Sequence, residues 1–253
     1  TRTIDIPTYQ TAVVRTCPST HAGIKPASLF TYPGVYAKQN GKPSAAHIED
    51  RRSRLLAVIA QCNRELQPLG IHMSVLVWRP CGALIYVYRP ADLMRYLSDP
   101  RATTALTAEG YDVHNLPASL VHLAARITLA SSNAAESAYD GSVCALARNR
   151  HCDTGCICEF PHEIGYYLGY PYEDVHQFIV QHGENYKVFG AWKVYTNVEQ
   201  ALTTFDSYRT CTQYLTYIYQ QGCKLGQLVQ ATDRAYKTRP HAAQPKGKHM
   251  SKI

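Results

Sequence analysis

The residues best able to do chemistry crowd into one stretch, "HCDTGCICEFPHEIGYYLGYPYEDVHQFI", positions 151 to 179. His151, Cys152, Cys156 and Cys158 fall within eight residues, and imidazole and thiolate are the usual zinc ligands. Their spacing, Cys-x3-Cys-x-Cys, is neither the Cys-x2-Cys knuckle nor the radical-enzyme pattern. No metal is therefore assigned, and Cys152, Cys156 and Cys158 stand as alternative metal or redox thiols beside a plain loop reading. His162-Glu163 begins like His-Glu-x-x-His, but position 166 is Tyr and the zinc-protease reading stops there.

Two other chemistries use the second half of the stretch. Residues 161–168 and 172–182 are predicted helices with the outline of a helix-turn-helix: Gly165 in the first, Gly169 at the turn, Val175 and Phe178 inside the second. A recognition helix needs Arg, Lys, Asn or Gln near its start, and here Tyr172, Glu173, Asp174, His176 and Gln177 stand there. The two acids suit the helix dipole after Pro171, so a packed helical corner is preferred and nucleic acid is kept as the alternative. With Pro161 as first helical residue, His162 and Glu163 would sit in a first turn whose free N–H groups attract anions and favour a neutral imidazole. Glu163 would then orient His162 or cap the helix.

Three motifs, "TCPSTHAGIKPASLF", "FPHEIGYYLGYPYEDVHQFI" and "GAWKVYTNVEQALTTFDSYRTCTQYL", occur in that order. Together they resemble a bacterial, Firmicutes-type family of a domain of unknown function, marked by AGIKPA, FPHEIG with LGYP, and G-x-WKVY, over about residues 12 to 230. His21, Ser19 and Ala191 depart from its Leu, Pro and Tyr. The resemblance implies no reaction. It does imply that Cys17, Lys25, His162, Glu163, Lys193 and Tyr195 belong to one recurring set. Lys193 and Tyr195 would share a strand face by their spacing of two.

This set predicts one cationic cleft between the AGIKP loop and the FPHEIG helix start, for a small anionic metabolite. His162 is the expected acid/base or hydrogen-bond donor. Lys25 is the anion clamp and Cys17 a thiolate nucleophile. Lys193 and Tyr195 are further ligand contacts. The bland counterpart is a Lys25–Glu163 ion pair with Cys17 buried. No cofactor is indicated, and neither enzyme nor binder is chosen.

The elements that must position these groups follow from periodicity. "TAVVR" near the N-terminus predicts a short strand, followed by a loop and the apolar "ASLF". A helix over 47–67 shows Ile48, Leu55, Val58, Ile59, Cys62 and Leu66 at helical spacing. "IHMSVLVW" and "ALIYVY" predict a hairpin, the second strand covered on both faces. Helices follow at 90–98, 102–109 and 117–130, then a strand or hairpin at 186–195 and helices at 197–219 and 225–236. Without a βαβ period, this predicts an α+β class: a small mixed or antiparallel sheet packed with several helices, in one domain over 1–230. The chain has 253 residues and formal net charge +7. Residues 224–253 carry seven cations against one acid, so the body is near neutral and 231–253 reads as a disordered basic tail. No apolar run reaches membrane-spanning length and no secretory segment opens the sequence, so a cytoplasmic location with reduced thiols is expected for its nine cysteines.

Overall fold

The computed structural model describes residues 3–38, 41–137 and 160–237. The cysteine cluster His151 to Cys158 and the last sixteen residues lie outside them.

The first element corrects the sequence reading. "TAVVR" lies inside a helix, α1 (Ile6–Thr16), not a strand. Asp5 caps it by accepting from the Thr8 N–H at 2.8 Å, and Pro7 fits its first turn. Buried Tyr9 and Val13, one turn apart, seat it on the core. A cap and a helical stripe outweigh the β-branching of two valines. A four-residue helix, α2 (Pro18–His21), replaces part of the expected loop, and β1 (Ala27–Tyr32) contains the apolar "ASLF".

The long helix α3 (Ala45–Leu66) and the hairpin β2 (His72–Arg79) and β3 (Gly82–Tyr88) form where periodicity places them. The sheet order is β1-β3-β2, antiparallel throughout, with Ala27 opposite Tyr88 and His72 also opposite Tyr88. A bulge between Val75 and Val77 shifts β2 by one residue. The middle strand is buried along all but its last residue.

That burial divides by parity. Ala83, Ile85 and Val87 face a core built with α1, α3, α9 (Val198–Gln220) and α10 (Leu225–Lys237). Leu84 and Tyr86 face a second core built with α4 (Pro90–Leu97), α5 (Pro100–Ala108) and α6 (Leu116–Ser137). The result is an α+β sandwich with a sheet between two helical layers. Each fully buried Leu, Ile or Val contributes roughly 1.5–3 kcal/mol.

The segment after residue 160 joins the second core. Here α7 (Ile164–Tyr167) and α8 (Tyr172–Val180) meet at a corner. Gly165 lets them approach, since a Cβ there would lie 2.8 Å from Val175 Cγ2. Tyrosines hold the corner: Tyr86 Oη donates to the Tyr167 carbonyl at 2.5 Å, and Tyr96 Oη donates to the Tyr170 carbonyl. A two-stranded hairpin, β4 (Val188–Phe189) and β5 (Lys193–Val194), is pinned to α9 by Trp192 packing edge-on against Phe205.

At the turn of the corner, Gly169 has φ +70° and a Cβ there would lie 2.2 Å from the Pro26 ring. Glycine supplies both the left-handed backbone and the missing atom. Gly169→Ala should therefore destabilise the fold by at least about 2 kcal/mol, read as a fall of roughly 5 °C or more in Tm.

Candidate functional site

The corner and the hairpin enclose a cavity of about 220 Å³. Phe160, Phe178, Phe189 and Trp192 give it aromatic walls, and His162 and Lys193 bring nitrogen to them. Phe189, on the two-residue β4, is 57% exposed. His162 stacks edge-on against Phe178 with ring centroids 5.0 Å apart. Desolvation and the neighbouring His182 hold its imidazole below the ordinary range, so it is neutral at physiological pH. Lys193 Nζ donates to the Gly183 carbonyl at 2.7 Å and lies 4.7 Å from the Tyr186 ring centroid. An ammonium has three donors, so two remain to meet a ligand.

His162 does not open a helix. Residues 162 and 163 form a turn, and α7 begins at Ile164 and runs for four residues. The expected first-turn anion site at Pro161 is therefore not built.

Glu163 is also placed differently from expectation. It makes no cap. Its carboxylate is buried, at 5% exposure, and accepts from Tyr111 Oη at 2.8 Å while pairing with Arg126 Nη1 at 2.7 Å. The ion partner is thus Arg126 of α6 rather than Lys25, and the carboxylate faces the core rather than orienting His162. A charge buried this deep needs such a cation, because losing the partner leaves the desolvation cost uncompensated.

Lys25 and Cys17 go elsewhere together. Cys17 is fully buried between α1 and α2, and burial pushes its thiol up to about 12. It is a protonated core residue at neutral pH, which removes the thiolate chemistry expected of it. Lys25 is not among the residues lining the cavity. Its Nζ lies 4.9 Å from the centroid of Tyr170, one of the wall residues. Tyr195 is buried beside β5, with no hydrogen-bond partner for its hydroxyl among the described residues.

The residue that sequence reasoning missed is Asp174. It is 3% exposed, and its Oδ2 accepts from Trp192 Nε1 at 2.7 Å. Its Oδ1 accepts from the Tyr195 N–H at 2.9 Å and from the Thr196 N–H and hydroxyl at 3.0 Å each. The sequence reading gave it a helix-dipole role. The overlooked signal was a tryptophan in a polar hairpin, whose indole N–H must find an acceptor once buried.

A second, polar cleft of about 580 Å³ runs between the start of α8 and α9, lined by Asn197, Gln200, Thr204 and Tyr208 among others. Asp174 and Trp192 line both hollows and form the partition between them.

The helix-turn-helix reading loses its geometry. The first helix is four residues long, and α8 carries no Lys or Arg. The nearest described arginine, Arg101, is engaged by Asp99 and Glu173. Among the described residues no group of three His, Cys, Asp or Glu could hold a metal ion, and no helix is long and apolar enough to cross a membrane. Cys152, Cys156 and Cys158 fall outside the described residues.

A family model described as protein of unknown function (DUF3793) matches residues 13–229. No curated protein matches the chain, and no solved structure does.

Asp174→Asn puts an NH₂ donor among four donors. It should cost about 2–4 kcal/mol in denaturant unfolding, whereas Glu173→Gln on the exposed side of the same helix should change stability by less than about 1 kcal/mol.

Proposed function

We propose that this chain, which belongs to the DUF3793 family, binds a small ring-bearing anion in the cavity between the 160–165 turn, α8 and the β4–β5 hairpin. The observation that carries this reading is the pairing of aromatic walls with one ammonium that keeps donors to spare. Rings of Phe160, Phe178 and Phe189 favour a flat apolar body. Lys193 favours a carboxylate or comparable anion at its edge. Neutral His162 supplies a hydrogen bond without adding charge. The single acid in the lining, Asp174, already accepts four hydrogen bonds from the protein, so it offers a ligand little.

Size narrows the class. The hollow is smaller than the roughly 300–1,000 Å³ of drug-sized sites, which fits a one-ring metabolite rather than a nucleotide. The His162 imidazole in the same lining supports an acid/base role there.

Calorimetry and thermal shift with benzoate and 4-hydroxybenzoate, against the neutral isostere benzamide, test this. The carboxylates should raise Tm, and benzamide should bind at least about tenfold more weakly, a difference of about 1.4 kcal/mol. Lys193→Met should reproduce that loss for benzoate while leaving benzamide unchanged. If no aromatic carboxylate shifts Tm, or if Lys193→Met binds benzoate like the parent chain, the reading is wrong.

A further inference from the structure

Lys25 is unusual for a lysine. Its side chain is half-buried, and among the described residues its Nζ has no carboxylate within ion-pair distance and makes no hydrogen bond. Two tyrosine rings flank it instead, Tyr170 with its centroid at 4.9 Å and Tyr208 at 6.0 Å. The nearby Cys17 thiol stays protonated and cannot serve as a counter-anion. The two rings give the ammonium a cation–π contact, but no acid offsets its desolvation.

The turn that carries Lys25 is held from several sides. The Ile24 and Lys25 N–H groups both donate to the Ser19 carbonyl, at 3.0 and 3.2 Å. The Arg89 guanidinium donates to the Thr20 and His21 carbonyls at 2.7 Å each, and the Arg89 N–H donates to the Pro26 carbonyl at 2.8 Å. Pro26 packs under Gly169. The backbone that carries the amine is therefore fixed in place. Tyr208 and Gly169, which touch this turn, also line the polar cleft between α8 and α9. Lys25 itself does not line that cleft, and its Nζ lies behind the Tyr208 ring, 6.0 Å from the centroid, so a small molecule reaches it past that ring.

We propose that Lys25 is a covalent attachment site, whose amine condenses with a small aldehyde arriving through the α8–α9 cleft. The Nζ lone pair attacks the carbonyl carbon and forms the C–N bond. The carbonyl π pair moves to oxygen, which gains a proton as nitrogen loses one, giving a carbinolamine. Expulsion of water leaves the imine, so amine and aldehyde become imine and water with no change of oxidation state. Desolvation is a recognised way to ready a lysine for this chemistry. Burial lowers Lys25 to about 8, so about half is unprotonated amine near pH 8. The site is separate from the aromatic cavity, and either assignment can fail without the other.

The test is reductive alkylation of the full chain with limiting acetaldehyde and cyanoborohydride, mapped by peptide mass spectrometry. At pH 8, Lys25 should be ethylated at least about tenfold faster than exposed Lys187, with a rate that rises through pH 8 and levels off above it. Lys25→Met should lose the fast-labelled peptide while keeping the parent Tm within a few degrees and an unchanged thermal response to benzoate. The α-amino group also titrates at about 8 and is scored by its own peptide. Labelling of Lys25 no faster than Lys187 overturns the proposal, as does a total of fast lysine labelling that is unchanged in Lys25→Met.

Discussion

The buried carboxylate of Asp174 organises the candidate site. Asp174 sits inside α8 with no ion-pair partner among the described residues, yet its two oxygens accept from an indole, two backbone amides and a hydroxyl. Each of those donors would cost about 1–3 kcal/mol if buried without a partner. Five residues of the hairpin and its exit, 192 to 196, are thereby fixed to a helix that is itself fixed to the sheet. Without that tie, β4 and β5 pair over two residues each, too few to stand alone.

The same logic explains the supply of tyrosine. Tyr86, Tyr96 and Tyr111 reach from the sheet, α4 and the loop before α6 to satisfy acceptors in the 163–170 segment. Each ring buries apolar area while its hydroxyl closes a polar account that a phenylalanine would leave open. Arg126 adds the one full charge this layer needs, opposite Glu163. The corner closes its own backbone turns, from the Ile164 N–H on the Pro161 carbonyl to the Val175 N–H on the Pro171 carbonyl. These side chains anchor that shape to the layer beneath it.

Much of the fold was legible because its signals are local and periodic. The α3 stripe of Ile48, Leu55, Ile59 and Leu66 and the apolar run of β3 leave few alternatives. The N-terminal helix was misread because Val13 and Val14 favour a strand locally. The capping Asp5 and Pro7 lie upstream of that apolar run. At the site, His162 and Lys193 were legible as polar residues that packing does not explain, and the structure brings both to one cavity. Glu163 was recognised as unusual but matched to the wrong cation. Its true partner lies 37 residues earlier on α6, and no spacing rule points across such a gap. Asp174 escaped for the converse reason: a sound local explanation, the helix dipole, masked a tertiary one.

The indole of Trp192 forms part of the wall between two hollows, while the other tryptophan, Trp78, packs on the sheet against Tyr36 and Arg52. A guest on either side of that wall changes what one face of the ring touches, and with it the environment of the excited state. The protein thus carries its own optical gauge, and a Trp78→Phe background would reserve the whole emission for that partition.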